Sequence, residues 1–227
     1  MQAMKGILQS IIIISILSCN ETQINKKASD LQIRSLPEVI IDPRDTCINV
    51  LNECLHRDSC IYERFYDDTR LDVSFVRTGN FIFDDKLSGI IIYTPTDSTI
   101  AIEHFIKEDD AWQPIDKKTD IPATWLVFET DNQDYNFDGI NDAYINVGVQ
   151  MGGGLPFGYI LTINEKGKFK FHPESLGVKN MDPDPKRKII RANSTEFCKG
   201  ERVICDEIYK WKKDSLTLIK RTFNCIE

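Results

Sequence analysis

Beyond about residue 70 the chain alternates apolar and polar residues in short stretches broken by turn formers. Ile100, Ile102, His104 and Ile106 fall on one face of an extended segment, against Glu103 and Lys107 on the other. Ala143, Ile145, Val147 and Val149 share a second face, Phe157, Tyr159, Leu161 and Ile163 a third, and Leu216 and Leu218 a fourth. Trp125-Leu126-Val127-Phe128 is continuous, as in a strand buried on both sides. Thr78-Gly79-Asn80, Lys166-Gly167-Lys168 and Asp182-Pro183-Asp184-Pro185 read as turns between these stretches. Only residues 48–66 read as a helix, and no alternation of strands with helices appears. The expected fold is all-β: an antiparallel meander of short strands, arranged as a sandwich, barrel or propeller-like body, with one short N-terminal helix.

The N-terminus follows different chemistry. Lys5 precedes an apolar run, Ile7 to Leu17, interrupted by Gln9, Ser10 and Ser15. That run is too short to span a bilayer, which takes about 20 apolar residues, and it suits a removable targeting segment. Its end, Ile16-Leu17-Ser18-Cys19, resembles the lipobox of bacterial lipoproteins. The resemblance implies removal of residues 1–18 and lipidation of Cys19; an ordinary secretory signal with Cys19 as bystander is the competing reading. Asn20 stands where an inner-membrane retention signal would have Asp, so a cell-envelope protein anchored in the outer membrane is expected, with the leaflet left open. Several acyl chains hold a membrane stably where one does not. Residues 19–45, polar and carrying Lys26, Lys27, Pro37 and Pro43, read as a lipidated tether. Residues 46–227 read as a single disulfide-linked β domain.

The formal net charge is −7, and removal of Lys5 makes the mature chain more acidic. Nucleic acid is therefore not an expected partner, because phosphate binding needs a basic face; a cationic protein partner is compatible. Besides Cys19 the chain carries Cys47, Cys54, Cys60, Cys198, Cys205 and Cys225. Cysteines in an exported chain point to disulfides. Cys198–Cys205 is the expected pair, because Lys199-Gly200-Glu201 between them reads as a hairpin turn. Zinc ligation is disfavoured: no C-x-x-C occurs, and of the histidines only His56 is near the cysteines.

Residues 134–142 read Asp-Tyr-Asn-Phe-Asp-Gly-Ile-Asn-Asp. Side-chain oxygens stand at loop positions 1, 3, 5 and 9, with Gly139 at the sharp turn, which is the oxygen-rich pattern of a calcium loop. Position 12 is Ile145, so the helix–loop–helix version is excluded and a strand–loop–strand version is expected. Asp134, Asn136 and Asp138 would each supply a side-chain oxygen, Ile140 its carbonyl, and Asp142 a closing carboxylate, for Ca2+ in preference to Mg2+. Tyr135 and Phe137 would pin the loop to the sheet. An Asx-rich turn without metal is the competing reading.

Met151, Gly152, Gly153, Gly154, Leu155 and Phe157 form a glycine-rich loop, read either as a flexible connection or as a recognition loop for a partner. The three histidines are scattered, and neither G-x-S-x-G nor H-E-x-x-H occurs.

Residues 88–222, above all the N-F-D-G loop, together with Lys168-Phe169-Lys170-Phe171 and Tyr209-Lys210-Trp211-Lys212, are similar to a family of bacterial periplasmic proteins and lipoproteins with one calcium loop in a β domain. That family includes immunity proteins that inhibit lysozyme-like effectors. The resemblance implies a calcium-stabilised protein-binding lipoprotein, an inhibitor of a lysozyme-like peptidoglycan hydrolase. A calcium-dependent glycan- or surface-binding module is the alternative, which an exposed aromatic platform near Tyr144 or Tyr159 would favour. An enzyme is not expected, because no motif supplies reacting groups with a positioned partner.

Overall fold

The computed structural model describes residues 42–65, 73–123, 129–149 and 154–223. The targeting segment, Cys19, nearly all of the tether, the run 125–128, Met151 to Gly153 and Cys225 lie outside the described residues.

Helix α1 spans Pro43–Glu53. The Asp42 carboxylate caps it by accepting from the Arg44 N–H at 2.8 Å, and Pro43 fills the first helical position, where a missing N–H costs nothing. The helix stops at Cys54, whose N–H returns to the Val50 carbonyl at 3.0 Å. Cys54 is disulfide-bonded to Cys60, where strand β1 (Cys60–Phe65) begins. The helix expected over 48–66 is therefore displaced: it starts at Pro43, which takes residues 43–45 out of the expected tether, and a strand occupies 60–65. Capping decided the start, and the β-favouring run Ile61-Tyr62 and Phe65 decided the end.

Strands β1, β2 (Val73–Gly79), β3 (Ser88–Thr96), β4 (Thr99–Glu108) and β5 (Ala111–Pro122) form an antiparallel meander in chain order. The second sheet is built from β6 (Glu129–Asp131), β7 (Ala143–Val149), β8 (Pro156–Ile163), β9 (Phe169–His172), β10 (Lys179–Asp184), β11 (Ile189–Cys198), β12 (Glu201–Lys212) and β13 (Ser215–Phe223). Its order is β13-β12-β11-β10-β8-β7-β6, with β9 also on β8. The expected all-β antiparallel architecture is the one found. The two sheets pack face to face: Ile90, Ile92, Ile100 and Ile102 from the first meet Ile145, Val147, Leu161 and Ile163 from the second. Two further clusters cover the outer faces. Cys47 and Leu51 of α1 pack on Val76, Ile91 and Phe105, while Tyr135 packs with Tyr144, Ile160, Ile190 and Tyr209 on the far side of the second sheet.

Several sequence expectations need correction. Glu103 does not face solvent: it is 3% exposed, because Arg44 of α1, Tyr93 of β3 and Lys117 of β5 close over it. Asp182-Pro183-Asp184 is not a turn but the end of β10, with Pro183 opposite Ile190. Pairing of β10 with β8 occurs at Lys179 and Phe157, so Pro183 sits where its missing N–H breaks no ladder; the turn follows at residues 185–188. Leu216 packs against Trp211's cluster, but Leu218, opposite Tyr209, is exposed. Val149, at the end of its strand, is also exposed.

The hairpin turn at Lys199-Gly200 is present, with Cys198 opposite Glu201. The expected Cys198–Cys205 bond is not. Cys205 pairs across the ladder with Ser194, four residues from Cys198, and is a buried free thiol; Cys198 is disulfide-bonded elsewhere. Cys47 is also free. Burial pushes its thiol up to about 12, which leaves it an inert apolar anchor of α1.

Candidate metal centre

The acidic loop joins neighbouring antiparallel strands, with Thr130 of β6 opposite Ile145 of β7. It is fixed from both sides. Toward the first sheet, the Asn141 side chain donates to the Phe81 carbonyl at 2.8 Å, Arg77 donates to Asn132 at 2.8 Å, and Ile140 rests on the inter-sheet core. Toward the second sheet, Tyr135 is buried against Tyr144 with ring centroids 5.8 Å apart, and Phe137 packs beside them. Trp211 of β12 donates its indole N–H to the Tyr135 carbonyl at 2.6 Å. Tyr135 and Phe137 thus hold the loop to the sheet as expected.

Within the loop, side-chain oxygens are gathered on backbone amides. Asp134 accepts from Asp138 N–H at 3.1 Å on Oδ1 and from Gly139 N–H at 2.9 Å on Oδ2. Asn136 Oδ1 accepts from the same Asp138 N–H at 2.9 Å. Asp138 accepts from Ile140 N–H at 2.9 Å on Oδ1 and from the Asn136 amide at 2.8 Å on Oδ2. Gly139 makes the turn at φ +94°, a conformation other residues resist. Phe137 adopts φ +66°, an unfavourable angle for an aromatic residue, held by the packing around it.

Asp142 behaves differently. It is fully buried. Its Oδ2 accepts from Tyr135 N–H at 2.9 Å and Asn136 N–H at 3.1 Å, and its Oδ1 from Ile163 N–H of β8 at 2.8 Å. It ties the start of the loop to the end of β8. Without a cation, burial pushes its carboxyl up to about 8, outweighing the three amide donors that favour the charged form.

Among the described residues, no three His, Cys, Asp or Glu side chains converge as a preformed metal cluster. The donor chemistry nevertheless fits a hard cation. A carboxylate or amide oxygen has two acceptor sites. By that count Asp134, Asn136 and Asp138 each keep acceptor capacity on the oxygens described, and Asp142 keeps it on Oδ1. Asp134, Asn136, Asp138, Asp142 and the Ile140 carbonyl are the groups that would hold calcium.

Gly154 is exposed, and Leu155 and Phe157 are half-buried. The Phe157 ring folds inward over Gly148 toward the inter-sheet core. Gly158 has no room for a side chain, because a Cβ there would lie 2.0 Å from the Ile145 carbonyl oxygen. His104 is buried between Phe83 and Phe169 and its Nδ1 bonds the Gly167 carbonyl at 2.7 Å. Burial lowers its pKa and keeps it neutral. His172 lies between the Thr162 hydroxyl at 2.9 Å and the Glu174 carboxylate at 3.3 Å. Hydroxyl and imidazole are both buried, with Trp211 edge-on to the ring at 4.7 Å, so the trio fastens β8 to β9. His56 is exposed.

Sequence reasoning missed Glu103. It accepts from Arg44 Nε at 2.7 Å and Nη2 at 2.9 Å, lies 3.0 Å from Lys117 Nζ, and accepts from Tyr93 OH at 2.8 Å. The signal present in the sequence was a lone carboxylate inside the apolar run of β4.

No family model, curated protein or solved structure matches the chain.

Proposed function

We propose that this chain is a calcium-stabilised, protein-binding lipoprotein of the bacterial envelope, held there through Cys19, and that its partner is a cationic peptidoglycan hydrolase of the lysozyme type. The observation that carries the calcium reading is the ring of Asp134, Asn136 and Asp138 oxygens gathered around the Gly139 turn, with a buried Asp142 behind it. The partner reading is supported by the net charge of −7, complementary to a basic enzyme, and by the likeness of the loop to those of lysozyme-effector immunity proteins. The alternative of a calcium-dependent glycan module loses its expected platform, since Tyr144 and Tyr159 are both buried.

Calorimetric titration of chelator-stripped mature protein is expected to show heat from one Ca2+, with a rise in Tm that grows with calcium concentration. At about a thousand times Kd the gain would approach 4 kcal/mol. Asp134→Ala combined with Asp138→Ala removes both responses. An unchanged calcium response in that variant refutes the ligand set. Separately, stoichiometric mature protein is expected to suppress turnover by a lysozyme-type muramidase, and full activity across several lysozyme types overturns the partner reading while leaving the metal site standing.

A further inference from the structure

The ladder between β10 and β11 slips between Lys179 and Asp182, and Asn180, inside the slip, has φ +51°. Such a bulge re-aims a side chain at some backbone cost. Here the Asn180 amide donates to Asn193 Oδ1 of β11 at 2.7 Å, and the Asn193 amide donates to Asp206 Oδ1 of β12 at 3.1 Å. Three planar polar side chains thus form a row across three strands. The row lies in a groove of about 400 Å³ that also has Arg187, Arg191, Ile189 and Ile208 in its walls.

The groove's chemistry narrows its ligand. Its cations are offset by acids: Asp182, Asp206 and Glu207 share the groove with Arg187 and Arg191, Glu207 is neutralised from outside it by Arg221 at 2.7 Å, and Arg191 already donates to Asp184 at 3.0 Å. A strongly charged ligand of either sign gains little there. A neutral ligand rich in hydroxyls can both donate to the second Asp206 oxygen and the Asn180 carbonyl and accept from the guanidinium N–H groups. Ile208, half-buried in the groove wall, offers apolar surface to the C–H face of a sugar ring.

The same sheet face continues toward the hairpin end. Asn193, Thr195 and Phe197 alternate onto one side, opposite Asp206, Ile204 and Arg202. Phe197 is 78% exposed and Ile204 63%. These two side chains leave apolar area open on that face. The core of a protein–protein interface is depleted of charge and enriched in apolar area, unlike the Asn–Asn–Asp row.

We propose that this groove binds a neutral oligosaccharide, seated on the Asn180–Asn193–Asp206 row and extending along β11 and β12 toward Phe197. None of these residues belongs to the calcium loop, so the site stands or falls independently of the metal and of the partner reading.

The test is titration of the mature protein with the tetramer of N-acetylglucosamine, with cellotetraose, and with inorganic phosphate as an anion control. Saturable binding of an oligosaccharide is expected, weakened about tenfold by Asn193→Ala, equivalent to one or two hydrogen bonds. Asp206→Asn, which alters charge with little change of shape, is expected to weaken it as well. Asn180 and Asp206 are exposed and Asn193 is half-buried, so Tm should fall only modestly in Asn193→Ala and little in Asp206→Asn, and calcium binding should not change. Absence of saturable binding to both sugars overturns the proposal, as do wild-type affinity in Asn193→Ala, binding of phosphate alone, and capture of a protein through Phe197 with no sugar binding.

Discussion

Replacing Asp142 with alanine is expected to lower the stability of the protein by about 3–5 kcal/mol, measured by chemical denaturation in the presence of chelator. The expectation does not depend on metal. Asp142 satisfies three amides, those of Tyr135, Asn136 and Ile163, at 2.8–3.1 Å, and its carboxyl group is fully buried. A buried donor stripped of its partner costs about 1–3 kcal/mol, and some rehydration of the vacated space holds the total below the simple sum. The damage should be local in origin, freeing the loop from the end of β8 and loosening Tyr135 against Trp211. Asp142→Asn is expected to cost less, because it retains one acceptor oxygen while turning an amide donor toward another donor. A loss below about 1 kcal/mol in the alanine variant contradicts the role of Asp142 as the clasp of the loop.

The second large effect is expected at Glu103. Removing one partner of a buried ion pair typically costs about 3–5 kcal/mol. Arg44 and Lys117 keep 39% and 45% of their side-chain surface exposed and can turn to water, so Glu103→Ala is expected near the lower end, about 3 kcal/mol. Its three partners hold the Glu103 carboxyl at about 2, below the ordinary 4.5, against the opposing pull of burial. A carboxyl whose folded pKa is depressed contributes stability that is complete above its unfolded pKa and disappears as pH falls through its folded one. The stability difference between the parent and Glu103→Gln should therefore be full above about pH 5 and shrink as pH falls from 4.5 toward 2. Hydrogen exchange should show α1 loosened in the variant, since Arg44 belongs to that helix. A difference that stays constant down to pH 2, or an α1 protected as in the parent, contradicts the latch.

The two sites differ in how readable they were. The loop at 134–142 is contiguous, and its chemistry follows from residue types at fixed spacing, so its place between two strands and its Tyr135 and Phe137 anchors could be expected. What could not be expected was the division of labour inside it, with Asp142 turned onto the Ile163 amide 21 residues away. The Glu103 network and the Asn180–Asn193–Asp206 row were invisible for the same reason: Arg44 is 59 residues from Glu103, and the row joins three strands through a bulge that no local propensity marks. The Cys198–Cys205 expectation failed because a two-residue turn sets a register that leaves the two thiols four positions apart on neighbouring strands.

The chain's own alternation settled which side chains share a face, and with it the antiparallel all-β class, because side-chain direction in a strand depends only on position parity. It also settled where side-chain oxygens crowd one turn. Which face is covered, and by what, was decided by the tertiary structure: Arg44, Tyr93 and Lys117 from three elements closed over Glu103, and the packing of β12 placed Trp211 over the loop. Burial is a relation between segments distant in sequence, and its energy accrues only when both surfaces leave water together.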